Sequence, residues 1–188
     1  MSDLLVLGFA DSAEFEDWLA REGSASKGAW IKLAKGGAAM LGKAEAIDAA
    51  LCHGWIDGQI AKGSHDTHFL TRFTPRTARS RWSEKNRARA EELIEAGRMA
   101  PSGHGAVEVA RADGRWDAAY PPASTAELPA DLAAALDALH GARAFFDGLT
   151  GANRYAILYR VHDAKTAKTR AERIAKYAAL CADGRTVY

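Results

Sequence analysis

Apolar and polar positions alternate in the first 75 residues or so and shift to helical spacing afterwards, and this change of period organises the chain. Leu4 to Phe9 is a short, continuous apolar run of the kind that forms a buried strand. Asp11 or Ser12 then caps a helix on which Phe15, Trp18, Leu19 and Glu22 share a face, and Gly23 ends it. Ala29 to Lys35 alternates apolar with polar side chains, the pattern of a half-buried strand, and Gly36-Gly37 breaks it. A second helix begins near Lys43 and gathers Ile47, Ala50, Leu51 and Gly54 on one side. Two extended runs, Trp55 to Ile60 and Thr67 to Thr74, flank a polar turn at Lys62 to Asp66 and predict a β-hairpin. Pro75 has no N–H to donate to a sheet ladder and stops the second run.

Helical spacing follows. Ser83 is placed to cap a helix on which Trp82, Asn86, Ala90, Leu93 and Ile94 face one way, and Gly97 closes it. Pro101 and Gly114 bracket a weaker helix containing Val107 and Ala110. Pro121-Pro122-Ala123-Ser124-Thr125 is the best linker in the chain. Beyond it, Pro129 is expected as the first residue of a helix carrying Leu132, Leu136 and Leu139. Further helices are expected around Phe145 to Leu149, Tyr155 to Val161 and Thr169 to Ala182.

Strands confined to one part and helices to the other predict an α+β fold: a small antiparallel sheet in the N-terminal part covered by helices, and an all-helical C-terminal part. The pattern divides the chain into residues 1–120 and 121–188. With only 188 residues in all, the two parts are expected to pack as one compact unit.

Composition narrows the chemistry. Twenty-five basic and 24 acidic side chains leave a net charge of +1, so the global field favours no polyanionic partner. Cys52 and Cys181 lie far apart and outside any Cys-x-x-Cys pair, which removes a disulfide framework or thiolate metal site from the expectation. Six histidines form no metal-ligand spacing; His65 and His68, with Asp66 between them, offer at most a weak surface contact. No metal and no cofactor are expected. The N-terminal apolar run lacks a basic n-region and a cleavage site, and no stretch approaches the roughly 18–20 apolar residues of a membrane span. A cytoplasmic protein without membrane insertion is the expectation. The usual nucleophile and phosphate-loop motifs are absent, so no catalytic residue is assigned.

The steepest local feature is the run from Arg72 to Arg89. Its seven basic side chains and one acid, Glu84, give a local excess of +6 in 18 residues. Guanidinium groups grip carboxylate or phosphate with paired hydrogen bonds, and Phe73 or Trp82 could stack beside a ligand. The competing explanation is a structural clamp, with these arginines held by acids such as Glu91, Glu92, Asp113 or Asp117. On the preceding strand, Asp57 and Gln59 alternate with apolar neighbours and would share a face, near Arg72 if the strands pair regularly. The candidate ligand-binding set is Asp57, Gln59, Arg72, Arg76, Arg79, Arg81 and Asn86. A second basic cluster, from Arg160 to Lys176, reads as an exposed helix face.

The quoted segments also carry a resemblance. Gly54-Trp55-Ile56-Asp57-Gly58-Gln59, Phe73 to Ser83, Asn86-Arg87, Ala96 to Met99, Asp113 to Trp116, Arg154-Tyr155 and Thr169 to Ile174 together resemble the YdeI/OmpD-associated, or bacteriocin-protection, family, from about Phe9 to the end. The resemblance implies a bacterial intracellular protein with a helical C-terminal module and carries over no catalytic residue. Three functions are then expected in order. The first is a non-enzymatic protein that binds an anionic small molecule or an acidic protein surface through the arginines. The second is an enzyme acting on a phosphorylated or carboxylated metabolite, with Asp57 or His68 as acid or base. Nucleic-acid binding, which would weaken steeply with salt, comes third.

Overall fold

The computed structural model describes residues 4–62 and 65–188; Gly63 and Ser64 of the expected hairpin turn lie outside the described residues. The described chain divides into two units, the first reaching to Ala119 and the second running from Tyr120 to Tyr188. The fold class is α+β, with the strands confined to the first unit.

In the first unit the elements are β1 (Val6–Leu7), α1 (Ser12–Glu22), β2 (Ala29–Ala34), α2 (Lys43–Cys52), β3 (Trp55–Ile60), β4 (His68–Pro75), α3 (Glu84–Glu95) and α4 (Pro101–Ala112). The four strands form one sheet in the order β1-β2-β4-β3. β3 and β4 are the antiparallel pair expected of the hairpin, and β4 also pairs antiparallel with β2. β1 joins β2 in parallel, so the sheet is mixed. A parallel neighbour requires a crossover, and α1 supplies it.

Alternation decides which side of β2 is covered. Ala29, Ile31 and Leu33 are buried and the residues between them are half-buried. These side chains meet Phe15 and Leu19 of α1, Ala46, Ala49 and Ala50 of α2, and Phe73 of β4. A second core in the same unit joins Leu51 and Cys52 of α2 to Trp82, to Ala90 and Leu93 of α3, to Val107 and Ala110 of α4, and to Trp116. Local caps start two of the helices: Asp11 accepts from the Glu14 N–H (3.0 Å) and Ser83 from the Asn86 N–H (3.1 Å).

The second unit is helical throughout: α5 (Ala130–Asp137), α6 (Ala142–Gly148), α7 (Gly151–His162) and α8 (Ala167–Ala182). Leu132, Leu136, Phe146, Ile157, Val161 and Ile174 are in its core. Pro129 precedes α5 as its N-cap rather than opening it. No helix among the described residues is long and apolar enough to cross a membrane.

One ion pair in this unit carries a pH consequence. Arg170 donates from Nε and Nη2 to the two carboxylate oxygens of Asp131 (2.6 and 2.9 Å). Those hydrogen bonds hold the Asp131 carboxyl below its ordinary value. Because folding lowers this pKa, the pair stabilises the fold above the ordinary carboxylate value and is lost as pH falls through the lower, folded one. Asp131 is about half exposed, so solvent screening keeps the contribution below about 1 kcal/mol. Asp131→Asn is expected to lower stability slightly at neutral pH and to flatten part of the acid limb in urea titrations between pH 2 and 5, a window of the order expected for a depressed carboxylate.

Candidate functional site

Three side chains of the arginine-rich run, Arg76, Arg87 and Arg89, are held by contacts within the first unit. β4 ends at Pro75, the backbone turns through residues 76–83, and α3 begins behind the Ser83 cap. Arg76 Nη1 donates to the Arg81 carbonyl (3.1 Å), and its guanidinium lies 3.5 Å from the centre of the buried Trp82 ring. Trp82 in turn meets Trp116 edge to face at 4.7 Å. Within the turn, the Thr77 N–H donates to Ser80 Oγ (2.9 Å) and the Arg79 N–H to Thr77 Oγ1 (3.2 Å). Arg115 holds it from the other side: it pairs with Asp113 and donates from Nη1 to the Ser80 carbonyl (2.8 Å).

Farther along, Arg87 donates to the Trp116 carbonyl (3.2 Å), and Arg89 grips Asp48 with two bonds of 2.8 and 2.6 Å while also bonding Glu92. Arg87 and Arg89 are therefore structural clamps that tie α3 to the Trp116 segment and to α2. Arg79 is exposed, whereas Arg81 and Asn86 are half-buried.

The expected pocket between Asp57 and Arg72 does not form. Asp57 stands opposite Phe73 in the ladder, and cross-strand partners share a face, so Asp57 lies on the side of the fully buried Phe73. Arg72 is next to Phe73 in sequence and opposite Trp30, hence on the other face. The register also shifts between Asp57 and Ile60, which takes Gln59 out of regular alternation with Asp57. His68 begins β4, five positions from the residue facing Asp57, a separation of about 17 Å along a strand. It stacks on His65 at 4.2 Å between ring centres, and both Nδ1 atoms lie 3.2 Å from the Thr67 hydroxyl. Loss of solvent, followed by the charges of His65, Lys32 and Lys35, pushes the His68 imidazole below its ordinary pKa. No group of three or more metal-ligating side chains occurs among the described residues.

A concavity of the first unit lies elsewhere. A cleft of ≈ 610 Å³ opens between the end of α1, the start of β3, the turn after β4 and the exposed side of α4. That volume is within the usual range for small-molecule sites, roughly 300–1,000 Å³. Leu19, Trp55, Pro75 and Val109 give it apolar walls; His53, Ser102 and Thr77 add polar groups; Arg76 and Arg115 are its charged residues. Among the described residues, no carboxylate lines it. Burial pushes the His53 imidazole below its ordinary pKa, against the opposing pull of Glu16, and favours its neutral form.

Close backbone packing sets the cleft's shape. Gly54 has a φ of +72°, and a Cβ there would stand 2.7 Å from the Ser102 carbonyl oxygen. Its own carbonyl accepts from the Arg76 N–H (2.9 Å), while the Ala100 N–H donates to the Cys52 carbonyl (3.0 Å). These contacts bring the first turn of α4 and the Arg76 turn to the same end of β3. Of the seven residues expected at a site, only Arg76 lines the cleft; Asp57, Gln59, Arg72, Arg79, Arg81 and Asn86 are outside its lining. His53, Ser102 and Arg115 also line it and were not among those expected. Arg115 lies in the Asp113 to Trp116 motif, and His53 immediately precedes the Gly54 motif, so adjacency to those motifs was the available signal.

Two family models match the chain. Residues 7–106 match a domain of unknown function (DUF8412), and residues 125–184 match a family described as bacteriocin-protection, YdeI or OmpD-associated. No curated protein matches the chain. No solved structure matches it either.

Proposed function

We propose that this chain, which belongs to the YdeI/OmpD-associated bacteriocin-protection family and carries a DUF8412 domain, is a binding protein that takes a small carboxylate- or phosphate-bearing molecule into the cleft of its first unit. The observation that carries this reading is the charge of the lining: the guanidinium groups of Arg76 and of Arg115, the latter paired with Asp113, with a histidine and no acid among the described residues around an otherwise apolar cavity. Such a surface suits a ligand with an anionic head and an apolar body. Turnover of the same kind of anion is the second reading. It is favoured by His53, a cleft-lining imidazole whose neutral form could accept a proton.

Gly105 makes the reading testable without disturbing the core. It lines the cleft on α4, and a Cβ there would meet nothing within 4 Å. Gly105→Phe should therefore fill the cleft while leaving the fold intact. In a thermal-shift screen of organic acids, sugar phosphates and nucleotides, a true ligand at a hundredfold excess over its Kd is expected to stabilise the chain by about 2.7 kcal/mol. Gly105→Phe should abolish that shift, with Arg76→Lys weakening it. A ligand that stabilises Gly105→Phe as strongly as the parent binds somewhere else, and a screen without any stabilising anion removes the reading.

A further inference from the structure

The second unit contains a separate, partly open pocket of different, aromatic character. Its walls are the rings of Tyr120, Tyr155 and Tyr159. Tyr155 and Tyr159 are one helical turn apart on α7, so they face the same way, and Tyr120 comes in from the segment preceding α5. Tyr120 and Tyr159 stand nearly perpendicular, at 86° with ring centres 4.9 Å apart; Tyr155 is 6.0 Å from Tyr159 at 42°. The Tyr155 hydroxyl donates to the Pro121 carbonyl (2.9 Å), which fixes the ring and the segment opposite it. Glu127 contributes a carboxylate, and no lysine or arginine lines the pocket.

We propose that this pocket is a cation–π cage for the methylated ammonium head of a small solute. Three chemical features select that class. Aromatic faces present negative potential and attract a cation that has shed its water, which a methylated ammonium does far more readily than a metal ion. Glu127 supplies a formal countercharge, and the one basic side chain in the lining is the imidazole of His162, with no permanently charged lysine or arginine to favour anions. The pocket offers ≈ 50 Å³ to the centres of water-sized groups, a small volume that suits a compact head group rather than an extended ligand.

The test is calorimetric titration of the full chain with choline, with tetramethylammonium and with the neutral alcohol in which carbon replaces choline's nitrogen. Both cations should bind, and the neutral isostere should bind at least about tenfold more weakly. Tyr120→Leu should remove cation binding while Tyr120→Phe, which keeps the aromatic face, retains it; circular dichroism of both establishes that the helices are intact. Glu127→Gln should weaken the cations and leave the isostere unchanged. Equal affinity for the isostere, or no binding of either cation at about 10 mM, overturns the proposal and leaves the tyrosines as a packing latch. Co-sedimentation with phosphatidylcholine vesicles without binding of free choline would assign the cage to a lipid head and overturn its small-solute form.

Discussion

Gly103→Ala is expected to destabilise the first unit by about 2–3 kcal/mol, and Gly105→Ala, two residues along the same helix, to stabilise it by about 0.5 kcal/mol. Helix propensity alone predicts a gain for both, because alanine is better than glycine in a helix by up to about 1 kcal/mol. Packing reverses the sign at Gly103. A Cβ there would stand 2.2 Å from the Cys52 carbonyl oxygen and 2.4 Å from Met99 Sδ. The thioether can swing away, but the carbonyl is backbone, and it already accepts the Ala100 N–H at the start of α4. Gly105 faces open space, so its added methyl has only the helix to improve. Urea unfolding followed by tryptophan fluorescence measures both variants. A neutral or stabilising Gly103→Ala would mean that α4 does not dock this closely on the end of α2.

Phe146→Ala should remove about 3–5 kcal/mol from the second unit, the usual cost of deleting a buried phenyl ring. Phe146 is 0% exposed, lies among Leu132, Leu136, Ile157 and Val161, and has the Arg154 guanidinium 4.5 Å from its ring centre. The loss therefore combines a cavity with a lost cation–π contact. Two probes read it separately. All five tryptophans, Trp18, Trp30, Trp55, Trp82 and Trp116, lie before Tyr120, so their fluorescence follows only the first unit, whereas circular dichroism follows all eight described helices. The midpoint by circular dichroism should fall. A parallel fall in fluorescence would reveal thermodynamic coupling of the units, and a midpoint unchanged by both probes would mean that the ring contributes little to its core.

Signals that act within a few residues were legible in the sequence. Ser83 as a cap, the alternation of Ala29, Ile31 and Leu33, and Pro75 at the end of β4 each act on their own neighbourhood, and each was read from that neighbourhood. Register was less accessible. A shift of one residue moves a side chain to the other face of a sheet, and the ladder that puts Asp57 opposite Phe73 separates it from Arg72. The arginine run was visible as charge, but nothing local could assign Arg89 to Asp48, 41 positions away, or Arg87 to the Trp116 carbonyl. Arg76, which lines the cleft, sits in that run. His53, Ser102 and Arg115 come from separate parts of the sequence, and the tight approach of Gly54 to Ser102 is what brings the first two together.

The strand order has a consequence for how the chain is made. β4 is the last strand to leave the ribosome, yet it occupies an interior position between β2 and β3. Neither of those strands pairs with the other, so their ladders must wait until translation has passed Pro75. Until then only the short β1–β2 pairing is available, and the nascent β2 and β3 carry apolar side chains without a sheet to cover them. Since domains generally fold as units from the N-terminal side during synthesis, this interval is when the growing polypeptide most needs protection by a chaperone.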